Sequence, residues 1–200
     1  YGLSLIGREA FAEPGRLAQV AFAAATDVMI YGQKACTASQ VQFVEGSEAQ
    51  ARAYADCLAE VLKRWDTLAP PFVAPATRGQ LKRLQRGKYA SADWRTNQHG
   101  QGFSSGVAVL SREFDILDHP MCRLVLVRPV DDLREALPAM SAAVSTVGVY
   151  PEARRLALRD ALGARGVSNI LPLGECERVY PGAPQDGMLV LSELVDWKNG

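Results

Sequence analysis

A cysteine, Cys36, stands inside the segment Tyr31-Gly-Gln-Lys-Ala-Cys-Thr-Ala-Ser-Gln-Val-Gln-Phe-Val-Glu45. A helical run ends at Gly32, the cysteine follows four residues later, and a strand begins just beyond it. Cys36 therefore sits in a short connection, where unpaired backbone N–H groups can stabilise negative charge on sulfur and on an attacked carbonyl oxygen. Lys34 beside it would favour the thiolate if its cation turned inward, and Thr37 and Ser39 add hydroxyls. The competing reading of a lone intracellular cysteine is a small buried hydrophobe. Cys57 and Cys122 fall within helix or strand patterns and read as core residues, and Cys176 reads as a loop thiol. The two histidines are His99, in a Gly-rich loop, and His119, before Pro120. Either imidazole could move a proton near neutrality; either is otherwise a surface loop residue. Arg78, Lys82, Arg83, Arg86 and Lys88 form a basic cluster, with no acidic residue between Thr77 and Ser91. Such a cluster is either a solvated helix face or a dock for phosphates or an acidic partner.

These residues need a scaffold, and the chain is long enough to build one. Its 200 residues suit one substantial core. Lys plus Arg and Asp plus Glu both number 22, so net charge gives no argument for nucleic acid or an anionic membrane. No run approaches the ~18 uninterrupted apolar residues of a membrane span. The apolar stretch from Leu17 to Ile30 is interrupted by Gln19, Thr26 and Asp27 and lacks a basic lead-in, so it is no signal peptide. Four widely spaced cysteines without a Cys-x-x-Cys pair suggest reduced thiols in the cytoplasm rather than a disulfide or metal framework.

The periodicity predicts a helix opening at Pro14 and Gly15, with Leu17, Val20, Ala21, Ala24, Val28 and Tyr31 on one face, and ending at Gly32. A strand around Val41 and Phe43 follows, then a long helix capped by Ser47. Pro70, Pro71 and Pro75 mark an extended link. Residues 77–94 read as a polar, basic helix; Gly100, Gly102 and Gly106 read as a flexible loop before a short strand at Val107–Leu110. Leu124–Val127 has the look of a central parallel strand, and Asp131 is placed to cap a helix through Leu137. Strand 145–150, helix 151–164 and strand 168–172 complete the alternation. The expected class is α/β with a mostly parallel sheet flanked by helices.

The segment around Cys36 resembles the active-site cysteine segment of the aldehyde dehydrogenase superfamily. It is closer to the acyl-CoA reductases of the bacterial bioluminescence type (LuxC-like). Further pieces match in order: Pro120 through Leu137 with its Asp-Asp-Leu-x-Glu-Ala-Leu, Val147–Tyr150 before a helix, Leu171–Gly174, and Gly182-Ala-Pro-Gln-Asp-Gly187 before an apolar helix reaching Asp196 and Trp197. Two positions depart from the pattern. Gln185 stands where the closing motif usually has His, and Ile116 where many aldehyde dehydrogenases have a ribose-holding Glu; Glu113 is the nearest glutamate.

The resemblance implies an aldehyde-dehydrogenase-like catalytic domain over residues 1–200, with a dinucleotide-binding domain upstream and missing from this chain. No Gly-x-Gly-x-x-Gly follows a strand here, and the chain opens at Tyr1 rather than Met. It implies that Cys36 accepts an acyl group from acyl-CoA or an acyl-carrier protein, and that NADPH or NADH reduces the resulting thioester to an aldehyde. Gln33, Thr37 and the Cys36 backbone amide become candidates to position the oxyanion. His99 and His119 become candidates for acid–base work, and Asp186 a turn residue with a smaller claim on the acyl tunnel. Arg78, Lys82, Arg83, Arg86 and Lys88 become the candidate dock for CoA or the carrier. An acyl-transferring partner enzyme and a homo-oligomer are the further expected partners. The rival readings are an aldehyde-oxidising dehydrogenase of the same superfamily and a non-catalytic assembly partner.

Overall fold

In the computed structural model of the chain, all residues are described except Arg112, Glu113, Val179, Tyr180, Gln185, Asp186, Trp197, Asn199 and Gly200, and the side chains of Ile30 and Leu191. The expectations for Glu113, Gln185, Asp186 and Trp197 lie outside the described residues.

Seven strands form one sheet in the order β3-β4-β5-β2-β1-β6-β7. They are β1 (Gly2–Ile6), β2 (Ser39–Glu45), β3 (Asp93–His99), β4 (Gly102–Val109), β5 (Leu124–Val130), β6 (Thr146–Tyr150) and β7 (Asn169–Pro172). Every neighbouring pair is parallel except β3 with β4, an antiparallel hairpin at one edge. The central strands β1 and β2 are buried at every position, as expected where helices cover both faces.

The pleat sorts side chains between two cores. Leu3, Leu5, Val41, Phe43, Leu124, Leu126, Val147 and Val149 face one layer, containing α3 (Pro75–Arg86), α4 (Glu152–Gly163) and the 3₁₀ segment Leu133–Ala139. Ile6, Val44, Val125 and Val127 face the other, containing α1 (Arg16–Met29) and α2 (Glu48–Leu68). A last short helix, α5, spans Val190–Glu193. Ser47 caps α2 as expected, in a reciprocal arrangement with Gln50.

The structure corrects three local expectations. The basic helix ends at Arg86, and Trp94 belongs to β3. As an edge strand, β3 is only half covered, so it lacks the apolar alternation that marks the others. The Gly-rich stretch is the turn and first half of β4, which runs on through Val107. The cap near residue 131 is Asp132, heading a 3₁₀ segment, while the Asp131 N–H donates to Glu135.

Among the described residues no helix is long and apolar enough to cross a membrane. None of the described His, Cys, Asp or Glu residues are grouped so as to hold a metal ion.

Candidate active site

Cys36 lies at the amino-terminal edge of the parallel strands, on the connection between α1 and β2. Its side chain is exposed; Cys57 and Cys122 are half-buried and Cys176 is buried. The chain reaches it through three consecutive left-handed residues, Tyr31 (φ 51°), Gly32 (φ 62°) and Gln33 (φ 69°). Two of these carry side chains, so the turn stores strain that the surroundings must hold. A second left-handed run, Met121, Cys122 and Arg123, leads into β5 at the same edge.

Gln33 joins the two. It is fully buried, and its side-chain amide nitrogen donates to the carbonyls of Ser39 (2.8 Å) and Leu124 (2.6 Å). Both amide hydrogens are thereby spent on backbone, which makes Gln33 a brace of the cysteine connection. Its Oε1 is buried without a partner.

Three further ties fix the connection. The Ser145 hydroxyl donates to the Cys36 carbonyl at 2.8 Å. The Thr37 hydroxyl donates to the Glu177 carboxylate. The Gly2 amide donates to the Ala38 carbonyl at 3.2 Å, and a Cβ at Gly2 would collide with the Thr37 and Ala38 carbonyls. Beneath them Ser39 enters a buried chain with Ser4 (2.8 Å) and Gln42 (3.3 Å), and Gln42 accepts from the Tyr54 hydroxyl at 2.6 Å.

The Glu177 turn is itself anchored. The buried Asp27 carboxylate, on α1, accepts from the amides of Gly174 (2.8 Å) and Cys176 (3.0 Å) and from the Cys176 thiol (3.2 Å). Burial raises the Asp27 pKa to about 6 against the lowering effect of those donors. Burial, with Asp27 alongside, pushes the Cys176 thiol well up, and burial pushes Cys122 up to about 12. Neither thiol is disposed to ionise near neutrality.

The other expected residues lie on other elements: His119 in the turn before β5, His99 on β3, and the basic residues on and just after α3. His119 is buried, and its Nδ1 accepts from the Met121 amide at 3.0 Å, so the proton resides on Nε2. Burial lowers its pKa to about 4, only partly offset by the Leu124 carbonyl; it is neutral at physiological pH. His99 is exposed at the end of β3. Lys88 is bound by Asp115 (2.8 Å) and Asp118 (2.9 Å), leaving Arg78, Lys82, Arg83 and Arg86 as the basic face of α3. Ser145, Asp27 and Glu177 had no signal in the sequence, since each acts on a partner more than 100 residues away.

An apolar cavity of about 230 Å³ opens beside this edge, lined by Thr26, Met29, Trp65, Ala69 and Arg123. Phe22 stacks on Trp65, one of these lining residues, with ring centroids 6.3 Å apart.

Known proteins share this arrangement of strands. A salicylaldehyde dehydrogenase from Pseudomonas putida G7 superposes with a TM-score of 0.68 at 14% identity, covering 96% of this chain and 44% of its own. An NADP-dependent glyceraldehyde-3-phosphate dehydrogenase from Bacillus halodurans C-125 gives 0.64 at 14% identity, covering 86% and 38%. In sequence, a long-chain acyl-protein thioester reductase from Photorhabdus luminescens is 27% identical over 194 residues, 92% of this chain. The chain spans 38% of that relative's length. The pattern of the family described as acyl-CoA reductase (LuxC) runs through residues 1–197, and on that match the chain belongs to this family.

Proposed function

We propose that this chain is the cysteine-bearing catalytic domain of a nicotinamide-dependent reductase that converts an acyl thioester into an aldehyde. The observation that carries the reading is Cys36: an exposed thiol on a strained connection tied down by Gln33, Ser145, Thr37 and Gly2. A nucleophile held in this way approaches a carbonyl with little motion left to lose.

The Cys36 sulfur attacks the thioester carbonyl, a new S–C bond forms, and the bond to the carrier sulfur breaks. The carrier thiol leaves with the proton that Cys36 gives up. The cavity between Met29 and Trp65 offers the acyl chain an apolar wall. Reduced nicotinamide, when bound, supplies the hydride that takes the acyl carbon to the aldehyde level. Release of the aldehyde breaks the S–C bond and returns Cys36 as a thiolate, which takes one proton from solvent to become the thiol again. The relative's name, a long-chain acyl-protein thioester reductase, supports this substrate class.

The two helix starts that follow a strand directly do not fit the cofactor's pyrophosphate. The turns leading directly from β2 into α2 and from β6 into α4 each carry a carboxylate in the first helical turn, Glu48 and Glu152. These would repel phosphate where a dinucleotide fold attracts it. We therefore place the cofactor, NADPH or NADH, mainly on a separate dinucleotide-binding domain, and the enzyme in the reducing cytoplasm, where four free thiols persist.

The test is to incubate the full-length protein with an acyl-CoA and digest it. The acyl mass is expected on the Cys36 peptide, and added NADPH or NADH is expected to release aldehyde. Label on Cys57, Cys122 or Cys176 in place of Cys36 overturns the assignment. Oxidation of aldehyde without any reduction of acyl-CoA overturns the direction.

A further inference from the structure

A cleft of about 280 Å³ lies between α3 and the β3–β4 hairpin. Arg78, Lys82 and Gln85 form one wall; Gln98, Gln101 and Phe103 contribute to the other. The Arg78 Nε donates to the Val73 carbonyl at 3.0 Å, and its guanidinium lies over Gly102, 3.5 Å from where a Cβ would be. That bond leaves the two terminal nitrogens of Arg78 toward the cleft residues.

The charge of this region is one-sided. Residues 67–92 hold five Lys and Arg and no Asp or Glu, in a chain whose totals are 22 and 22. Lys88 is neutralised by Asp115 and Asp118, which come from outside the segment. Among the described residues no acid lines the cleft. A pair of cations with flanking side-chain amides and no acid is the chemistry of a phosphate site, with the amides as added donors. Phe103 supplies an apolar surface beside it.

The cleft also stands at the right end of the molecule. Gly106 of β4 pairs with Leu124, and Gln33 ties Leu124 to the Cys36 connection. Gly102 lies four residues beyond Gly106, past the same amino-terminal edge, and β4 is two strands from β2. With strand spacing near 4.8 Å and a rise near 3.3 Å per residue, the cleft and Cys36 are on the order of 15 Å apart. That separation suits the two ends of one extended ligand.

We propose that this cleft binds the phosphate that terminates a pantetheine arm, whose far end presents the thioester to Cys36. The proposal rests on the reductase reading for the identity of the ligand. Arg78 and Lys82 hold the phosphate; Gln85, Gln98 and Gln101 hydrogen-bond around it. Arg83 and Arg86, also exposed on α3, do not line the cleft and serve only long-range attraction.

The full-length protein and its Lys82→Glu variant, an exposed change that leaves the core untouched, are titrated calorimetrically at low salt. The probes are CoA, adenosine 3′,5′-bisphosphate and a phosphopantetheinylated carrier protein. Loss of at least tenfold in affinity for CoA and the bisphosphate identifies the nucleotide end of CoA as the source. Loss confined to the carrier identifies its phosphodiester. Unchanged affinity for all three probes overturns the proposal. In parallel, Cys36 is acylated from acyl-N-acetylcysteamine, which has the thioester end of the arm without phosphate. The variant is expected to match wild type with this donor and to fall behind with acyl-CoA or acyl-carrier protein. An equal loss with all donors also overturns the proposal. No acylation of Cys36 by any donor defeats the reductase reading, while a probe affinity lost in Lys82→Glu still stands for the cleft.

Discussion

Asp27 and Cys176 are 149 residues apart in sequence, yet the carboxylate of one accepts both the backbone amide and the thiol of the other, at 3.0 and 3.2 Å. With the Gly174 amide as a third donor, the end of α1 clasps the turn after β7. The next residue, Glu177, is the one that receives the hydroxyl of Thr37, the neighbour of Cys36. A thiol that reads in the sequence as an idle loop residue is thus a buried part of what positions Cys36.

The clasp depends on Gly148 in β6. A Cβ there would lie 2.8 Å from the Cys176 sulfur and 3.0 Å from Asp27 Oδ2. Gly148→Ala is expected to cost about 1–3 kcal/mol, the usual range for overpacking a tight interior. Adding Cys176→Ala vacates the space, so the double variant should recover part of the loss. Urea unfolding of the single and double variants measures this. A Gly148→Ala protein as stable as wild type would contradict the packing.

Asp27 and His119 give stability opposite dependences on pH in the same window. Asp27 rises from its ordinary 3.8 to about 6 in the fold, so its contribution is fully present below pH 3.8 and lost as pH climbs through 6. His119 falls from 6.5 to about 4, so its contribution is present above pH 6.5 and lost as pH drops through 4. Each change corresponds to about 3 kcal/mol, and between pH 4 and 6 the two largely cancel. Asp27→Asn should therefore leave a stability that rises steeply from pH 4 to 6.5, and His119→Gln one that falls over the same range. Denaturant midpoints across pH 4–7 check the signs; curves parallel to wild type in both variants would refute them.

Thr37 tests whether the tie to Glu177 matters for the reactivity proposed for Cys36 rather than for folding. Thr37→Val removes the donor and leaves the carboxylate free beside the cysteine connection. A hydrogen bond to a charged group is worth about 1.5–3 kcal/mol, less where partly solvated. Acylation of Cys36 is expected to slow about tenfold, with global stability changed by less than about 1 kcal/mol. Thr37→Ser, which keeps the hydroxyl, should retain the rate. Equal rates in Val and Ser variants would remove Thr37 from the positioning scheme.

The readable parts of this sequence were those with local patterns. Apolar stretches at Leu124–Val127 and Val147–Val149 became interior strands because burial on both faces favours apolar residues, and Val41, Phe43 and Val44 mark β2 even though Gln40 and Gln42 are buried among them. The placement of Cys36 in a short connection was legible because a helix end, a glycine and a strand start bracket it. Strand β3 was not: Asp93-Trp-Arg-Thr-Asn-Gln-His99 is a half-solvated edge, and nothing in its residues forbids continuing the preceding helix. Lys88 looked like one of five equivalent cations, because its partners Asp115 and Asp118 arrive from beyond the β3–β4 hairpin. Ser145 and Glu177 were beyond reach for the same reason, since only the folded sheet brings β6 and the turn after β7 against the connection.

Asp66 and Arg123 make the most deeply buried ion pair among those described, with Arg123 Nη1 2.7 Å from Asp66 Oδ1. The Ser105 hydroxyl donates to the other carboxylate oxygen at 2.5 Å, and Arg123 also donates to the Ala69 carbonyl. The pair thus pins the end of α2 to β4 and to the left-handed turn before β5, whose first carbonyl receives Gln33. Arg123→Met leaves Asp66 buried with Ser105 as its remaining partner, and should cost about 3–5 kcal/mol. Adding Asp66→Leu removes the orphaned charge at the cost of the Ser105 bond, so the double variant should lose less than the single one. The same pair should report on the site: where the domain stays folded, Arg123→Met is expected to slow Cys36 acylation, because the turn that supports Gln33 is loosened. Urea unfolding with acylation kinetics on both variants separates the effects, and a single variant no less stable than the double would show that the pair is not what holds this corner.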